Sequence, residues 1–319
     1  MRTIGLEEHF VTPELVGYGA GSASIAQPGA WKEASRRLLD LTDERIVEMD
    51  AAGLDVQVLS LNAPGIQAES DPAVAVTRAA AVNDLLAGTI AANPTRYAGF
   101  CALPLQDPQA AAKELERSVL QLGLRGALVN AHTQGRYLDD PELRVVWEYA
   151  EGLGVPLYLH PANGVDYAHV LSGHPELIGP MWSWGTDTAS HVLRLIFGGV
   201  FDDFPEAKLL LGHMGEGLPY ALWRLDSRWG FHNHHGIELR RGNPSEYLRH
   251  NLYITTSGVC SVPPLLCALL ALGSDHVLFG TDYPFEEMAT ATEFLRIAPI
   301  GEEDRALIAH GNAERLLGI

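Results

Sequence analysis

Side chains able to hold a metal ion stand near the carboxyl ends of apolar runs in this sequence. Glu7 and His9 are two residues apart in the first run, so on a strand both would point to one face, with Glu8 on the other. His160 and Asp282 end two further runs, far along the chain. Two carboxylates and two neutral imidazoles form a mixed oxygen and nitrogen set that suits Zn²⁺, Mn²⁺ or Fe²⁺. We therefore expect one divalent cation at these four residues, with manganese or zinc favoured and magnesium still open.

Each of these residues has a simpler interpretation when it is taken alone. A single histidine in such a place is often a hydrogen-bonded core residue, Asp282 in GTDYP could close a turn, and Glu7 could form a salt bridge. A buried ionisable group is costly without a partner or a metal, however, and His213 adds a fifth such group at the end of another run. Because the five groups fall at equivalent places, the sequence favours one shared site over separate structural roles.

A second histidine cluster, FHNHHG at residues 231–236, competes with this site. It follows the end of a predicted helix and holds no carboxylate in a liganding pattern. We therefore expect a solvated loop there. His191 also lacks a supporting pattern, although it could lie near the site.

The elements that must position these residues are short apolar runs separated by helical stretches. Near-continuous apolar runs are typical of parallel strands that are buried on both faces. Several of the intervening stretches begin with Asp-Pro and end at Gly, an asymmetry that is typical of helices. The sequence predicts eight strands, over residues 3–8, 55–61, 97–105, 126–131, 156–160, 208–213, 252–257 and 277–282.

Eight strands alternating with helices predict an α/β fold, a (β/α)8 TIM barrel formed by one domain over residues 1–319. An open doubly wound sheet is the main alternative, but eight strands suffice to close a barrel and no GxGxxG follows the first strand. In a barrel the carboxyl ends of all strands converge on one mouth, where active sites lie. Residues 13–30 and 163–188 are insertions after strands one and five, and we expect them to roof that mouth.

Composition excludes several classes of function. The 40 acidic and 22 basic residues give a formal net charge of −18, and no basic stripe is present to bind nucleic acid or an anionic membrane. Three cysteines without regular spacing argue against a disulfide framework. The first ten residues lack the apolar stretch of a signal peptide, and the apolar stretches fall short of a membrane span. We expect a cytoplasmic protein that binds neither nucleic acid nor membrane.

Six motifs, in order along nearly the whole chain, carry a family resemblance: LEEHF (6–10), YLHP (158–161), LGHMGE (211–216), WRLD (223–226), FGTDYPFE (279–286) and GNAERLLG (311–318). Together they resemble the hydroxybenzoate decarboxylase branch of the amidohydrolase superfamily. Most amidohydrolases begin with His-x-His on strand one. The Glu7-x-His9 pair of this chain is instead similar to that of decarboxylases acting on γ-resorcylate, 2,3-dihydroxybenzoate and 5-carboxyvanillate.

The resemblance implies a role for each matching residue. The implied metal ligands are Glu7, His9, His160 and Asp282. His213 matches an active-site histidine that does not bind the metal, and Glu216 matches its carboxylate partner. Arg224 matches an arginine that helps to hold the substrate carboxylate; a structural salt bridge on its helix is the alternative. Further candidates for lining the pocket, for which ordinary packing is the alternative, are Asn62, Ala63, Trp184 and Tyr283, with Trp182 and Phe285.

The implied reaction is the non-oxidative decarboxylation of a small aromatic carboxylic acid with an ortho hydroxyl group. Loss of CO₂ would leave an unfavourable aryl carbanion unless the ring carbon is protonated first. Asp282, protonated because a bound anion raises its pKa, would supply that proton while the cation holds the carboxylate and phenol oxygens. His213, oriented by Glu216, would balance the charge. A lactone or amide hydrolase and a non-catalytic binding protein stay open as alternatives. The family also implies a homodimer or homotetramer.

Overall fold

The computed structural model describes residues 1–19 and 26–319 of the chain. All eight predicted strands are present, and the third is split into two segments, between which the Phe100 amide still donates to the Leu59 carbonyl (2.9 Å). All pairings are parallel and follow chain order. The segments are β1 (Ile4–Phe10), β2 (Val56–Leu61), β3 (Tyr97–Gly99), β4 (Cys101–Ala102), β5 (Ala127–Asn130), β6 (Leu157–His160), β7 (Leu209–Leu211), β8 (Leu252–Thr255) and β9 (Val277–Leu278).

The first strand meets the end of the last one and closes the barrel. Leu6 forms a parallel bridge with Gly280, just after β9. The Leu6 amide donates to the Phe279 carbonyl (3.0 Å), and the His9 amide donates to the Tyr283 carbonyl (2.8 Å). The predicted (β/α)8 barrel is therefore confirmed.

Helices cover the outside of the strands. Asp71 and Asp107 cap two of them by accepting backbone amide hydrogen bonds, and Gly53 ends another in the left-handed conformation (φ 71°). The helices are α1 (Pro28–Leu39), α2 (Asp43–Ala52), α3 (Pro72–Ala92), α4 (Pro108–Leu120), α5 (Arg144–Leu153), α6 (Ser183–Phe197), α7 (Val200–Asp203), α8 (Leu218–Trp229), α9 (Pro244–Asn251), α10 (Val262–Leu272), α11 (Met288–Ile297), α12 (Glu302–Ala306) and α13 (Asn312–Leu317), with a π-helical turn at Leu307–Gly311.

Two apolar layers hold this arrangement together. One layer fills the barrel interior with side chains that alternate along the strands, such as Leu6, Val58 and Leu210. A larger layer lies between strands and helices and includes the fully buried Trp147. Burial of apolar surface stabilises the folded state by about 25 cal/mol per Å². These two layers therefore hold the strands whose ends carry the polar groups at the barrel mouth.

Several strands end earlier than predicted, and this is a correction to the sequence analysis. β7 ends at Leu211 and β9 at Leu278, so His213 and Asp282 lie on the turns that follow these strands. Both residues have positive φ angles, 50° and 68°, which a strand ladder does not accommodate. β1 shows the opposite deviation, because it continues past His9 to Phe10.

The two insertions differ in structure. In the insertion after β6, residues 163–182 contain only short 3-10 turns at His169–Leu171 and Pro175–Leu177, and α6 begins at Ser183. In the insertion after β1, Val16–Gly19 forms a 3-10 turn and the unpredicted helix α1 begins at Pro28. Residues 20–25 of that insertion lie outside the described part of the chain.

One helix contradicts the expectation that every apolar stretch falls short of a membrane span. Helix α3 is long and apolar enough to cross a membrane by length and composition. In the fold it covers a barrel strand, where the Asn83 side chain exchanges hydrogen bonds with the backbone of Ala102.

Candidate metal centre and active site

A bulge in β1 places the first two cluster residues. Leu6 pairs with Val58 and Glu8 with Leu59, so Glu7 has no partner in the ladder and adopts a φ of 68°. Bulges of this kind re-aim a side chain and recur next to active sites. Glu7 and His9 point to the same cluster as predicted, but the irregular backbone at Glu7 contributes to this as well as strand alternation.

Glu7, His9, His160 and Asp282 form one compact group. One potential ligand atom from each residue lies within 4.8 Å of the others. His9 Nε2 lies 3.4 Å from Asp282 Oδ1, and His160 Nε2 lies 3.5 Å from Glu7 Oε1. Glu7 Oε1 and His9 Nε2 are buried without a hydrogen-bond partner among the described residues. Because unpaired buried polar atoms are costly, this donor set fits a divalent cation well.

The second oxygen of Glu7 is held by hydroxyl groups. Tyr158 donates to Glu7 Oε2 at 2.6 Å, Thr255 donates at 3.3 Å, and Ser257 donates as well. These bonds fix the carboxylate so that Oε1 faces the cluster. Burial raises the pKa of Glu7, and a bound cation would favour its ionised form.

His213 stands beside this group with a partner of its own. Its Nδ1 lies 2.7 Å from Glu216 Oε1, and its Nε2 lies 3.7 Å from Asp282 Oδ2. Burial alone would lower the pKa of His213, but the carboxylates of Glu7 and Glu216 raise it well above the ordinary value. The predicted pairing of His213 with Glu216 is present, and it orients the ring toward Asp282.

The neighbouring histidines act on the carboxyl group of Asp282. Burial would raise its pKa, but interactions with His213 and His9 outweigh that effect and lower the pKa. The raised pKa predicted from the sequence concerns the complex with a bound anion and stays a prediction. A bound anion beside Asp282 would have to supply the opposing effect.

A cavity of about 160 Å³ lies on the Trp184 side of the cluster, and none of the four cluster residues lines it. The Trp184 ring lies at its edge, and the centroids of the Trp184 and His160 rings are 6.4 Å apart. The Trp184 indole donates to Asn163 Oδ1 (2.9 Å). Ala63 and Trp184 were predicted for the pocket and line this cavity. Four polar residues that were not predicted also line it, namely Gln67, Asn130, His132 and Asn163.

Asn130 could have been found from the pattern that found His160. It is the last residue of β5 and pairs in register with His160 on β6, so it stands at the same barrel mouth. Gln67 lies on a 3-10 turn (Gly65–Ala68), and His132 and Asn163 lie on loops, so a strand pattern gives no signal for these three residues.

Several predicted pocket residues lie elsewhere. Asn62 lines a separate small cavity, and its side-chain Nδ2 donates to the Ala63 carbonyl (2.9 Å). Tyr283 is fully buried, and the guanidinium groups of Arg37 and Arg45 lie over its ring at 4.6 and 4.4 Å. This placement takes the Tyr283 ring out of the described cavity and is a correction to the predicted pocket.

The remaining aromatic and basic candidates lie near the surface. Trp182 is 58% exposed, and Phe285 is 44% exposed with its ring centroid 6.0 Å from that of His9. Arg224 is exposed on α8 and forms no ion pair with any described residue, so the alternative of a structural salt bridge finds no support.

His191 and the histidines of residues 231–236 lie outside the metal cluster. His191 is buried and accepts a hydrogen bond from the Leu138 amide at 2.8 Å. Residues 231–236 are mostly exposed, and His234 stacks on Trp229 with ring centroids 3.7 Å apart. The expectation of a solvated loop at residues 231–236 is confirmed.

Comparison with known proteins identifies the family. The model of the amidohydrolase family matches residues 9–319. The chain belongs to the amidohydrolase family. It is 43% identical to the γ-resorcylate decarboxylase of Polaromonas sp. JS666, over 98% of this chain and 97% of the relative. This amidohydrolase therefore falls in the hydroxybenzoate decarboxylase branch, as the motifs predicted.

Solved structures of relatives agree with this placement. A 2,6-dihydroxybenzoate decarboxylase complexed with 2,6-dihydroxybenzoate superposes with a TM-score of 0.93 at 42% identity and covers all of both chains. A dihydroxybenzoic acid decarboxylase from Polaromonas sp. JS666, with bound manganese and the inhibitor 2-nitroresorcinol, gives a TM-score of 0.91 at 42% identity and covers 99% of this amidohydrolase and 97% of that chain. A divalent cation in the amidohydrolase centre is consistent with both the donor set and these relatives.

Proposed function

We propose that this amidohydrolase is a metal-dependent, non-oxidative decarboxylase of an ortho-hydroxybenzoate. The observation that carries the proposal is the compact group of Glu7, His9, His160 and Asp282. Its relatives named as γ-resorcylate and dihydroxybenzoate decarboxylases support the substrate class. A flat ring would enter the adjoining cavity, between the cluster and Trp184.

The proposed chemistry relies on proton placement by the chain's own residues. When bound, the cation supplies Lewis-acid stabilisation and a template for neighbouring oxygens. The His213–Asp282 pair holds one proton, and the negative charge of an incoming carboxylate draws it onto Asp282 by raising the pKa of that group. Asp282 then protonates the ring carbon that bears the carboxylate. The carbon–carbon bond breaks, its electron pair returns to the ring, and CO₂ leaves.

The proposal also includes a role for Arg224 and a choice of metal ion. Arg224 stays a candidate clamp for the substrate carboxylate because of the family resemblance; it is exposed on α8 and lines neither described cavity. Among the metals that the ligand set tolerates, manganese has support from a relative that binds it. A cytoplasmic location, a single domain over residues 1–319 and a homodimer or homotetramer stay predictions.

A panel of aromatic acids tests the proposed function. The metal-replete protein should convert at least one ortho-hydroxybenzoate, 2,6-dihydroxybenzoate first, to the corresponding phenol and one equivalent of CO₂ without O₂, NAD or flavin. Benzoates that carry only a meta hydroxyl serve as controls and should not react. No turnover across the panel, or a ring-opened product by mass spectrometry, would refute the proposal.

Replacing Glu216 by glutamine should lower kcat by about 10–100-fold, because an outer partner that orients an active-site histidine contributes that much. Glu216 Oε1 would no longer present a negative charge to His213 Nδ1. Steady-state kinetics at saturating manganese measure the effect. Glu206, an exposed glutamate near His250, provides the matched control, and Glu206→Gln should be silent.

Replacing Trp184 by alanine should raise KM for the aromatic acid about tenfold, because an aromatic contact contributes about 1.5 kcal/mol beyond its buried area. Trp182 is the matched control, since it lies on the same insertion but is 58% exposed. The proposal for Trp184 is refuted if Trp182→Ala and Trp184→Ala change KM equally.

A further inference from the structure

Two ionisable side chains are buried on the side of β1 that faces away from the cluster. Glu8 and Arg45 are both 0% exposed. Burying ionisable groups is costly unless hydrogen bonds and partners compensate. Packing alone would be served better by apolar residues of similar size, so the contacts of this pair are informative.

Glu8 binds the residue that precedes Asp282. The Thr281 amide donates to Glu8 Oε1 (2.9 Å), and the Thr281 hydroxyl donates to Glu8 Oε2 (2.6 Å). Gln57 Nε2 also donates to Glu8 Oε2, at 3.1 Å. A single carboxylate therefore fixes both the backbone and the side chain of Thr281. The next residue, Asp282, has a φ of 68° that L-residues rarely adopt.

Arg45 binds the backbone of another cluster residue. Its Nη2 donates to the His9 carbonyl at 2.7 Å, and its Nε donates to the Asp40 carbonyl at 2.8 Å. Its Nη1 lies 3.4 Å from Gln57 Oε1, which completes a chain through Gln57 to Glu8. His9 is thus anchored by Arg45 at its carbonyl.

Tyr283 contacts both Arg45 and His9. The Arg45 guanidinium lies over the Tyr283 ring at 4.4 Å, and the Tyr283 carbonyl accepts a hydrogen bond from the His9 amide at 2.8 Å. The residues on either side of Asp282 are therefore both tied to β1, one through Glu8 and one through His9. Such contacts hold in place a strained backbone that would otherwise relax.

We propose that Arg45 and Glu8 are positioning residues of the metal centre, and that Tyr283 acts with them rather than in the substrate pocket. They fix the backbone at His9 on β1 and around Asp282 after β9. The two side chains are thereby held close enough together to bind one cation. The inference rests on the proposed metal site and does not depend on the identity of the substrate.

Manganese affinity of the apo protein tests this proposal. Titration with Mn²⁺, followed by the electron paramagnetic resonance of the free ion, should show about 10–100-fold weaker binding in Arg45→Met and Glu8→Gln. Arg45→Lys, which can still reach the His9 carbonyl with a positive charge, should recover part of the loss. Tyr283→Leu, which removes the ring that contacts the Arg45 guanidinium, should also weaken Mn²⁺ binding, although by less than Arg45→Met.

The control is another buried arginine. Arg305 donates to the carbonyls of Leu295, Ala298 and Ile300, and it contacts no cluster residue. Arg305→Met should lower the melting temperature of the apo protein but leave Mn²⁺ affinity unchanged. Unchanged Mn²⁺ affinity in folded Arg45→Met and Glu8→Gln would overturn the positioning role. A Tyr283→Leu variant that raises KM without changing Mn²⁺ affinity would return this ring to the substrate pocket. Wild-type protein that binds Mn²⁺ yet converts no hydroxybenzoate would refute the proposed function alone.

Discussion

Replacing Asp282 by asparagine is expected to lower kcat by about 10²–10⁴-fold, the range that a positioned proton donor contributes. Asparagine keeps an oxygen at the position that faces His9 Nε2, 3.4 Å away, but it cannot carry the proton shared with His213. The variant should therefore retain a metal ion by elemental analysis and bind the aromatic acid while turning it over very slowly.

The control for this variant is Asp187, a half-buried carboxylate on α6 that lies 3.4 Å from the Tyr137 hydroxyl. Asp187→Asn should stay within about twofold of the wild type, because it lies outside the metal cluster. Full activity in Asp282→Asn would show that the proton reaches the ring by another route.

Removing the cation is expected to have an equally large effect. Lewis-acid stabilisation contributes several kcal/mol, so kcat/KM should fall about 10³-fold or more after chelation and return when Mn²⁺ is added. His160→Ala should lower kcat/KM to a similar extent without a chelator, because it removes one of the four proposed ligands. Added Mn²⁺ should restore little of this variant's activity. Metal content and turnover would be measured on the same sample.

An exposed histidine provides the control for His160. His174 lies on the insertion after β6 and pairs with Glu176, which is also exposed. His174→Ala should keep full metal content and activity. A His160→Ala protein that holds one equivalent of metal and works normally would remove His160 from the proposed ligand set.

The sequence predicted the barrel well because its strands are buried on both faces and their apolar runs are nearly continuous. The sequence predicted the metal cluster for the same reason, because Glu7, His9 and His160 are ionisable residues within or at the ends of otherwise apolar runs. Strand ends were less accurate, since His213 and Asp282 lie on turns with positive φ that no periodicity indicates.

The pocket was predicted less completely than the cluster. Gln67 reaches the cavity from a 3-10 turn and His132 and Asn163 reach it from loops, and the paths of these segments depend on tertiary packing rather than on local pattern. Tyr283 was misplaced because its neighbour Asp282 faces the cluster, whereas its own ring contacts Arg37 and Arg45. The link between Glu8 and Arg45 through Gln57 is also hidden from the sequence, because these residues are far apart along the chain and come together only after folding.

The most direct test of the account is turnover of 2,6-dihydroxybenzoate by the manganese-loaded protein in D₂O, followed by nuclear magnetic resonance. The proposed mechanism should give CO₂ and resorcinol in equal amounts, with one deuterium at the ring carbon that had carried the carboxylate. Metal-stripped protein should give neither product. Equal turnover with and without the metal, or a product that retains the carboxyl carbon, would contradict a cation-dependent protonation of the ring.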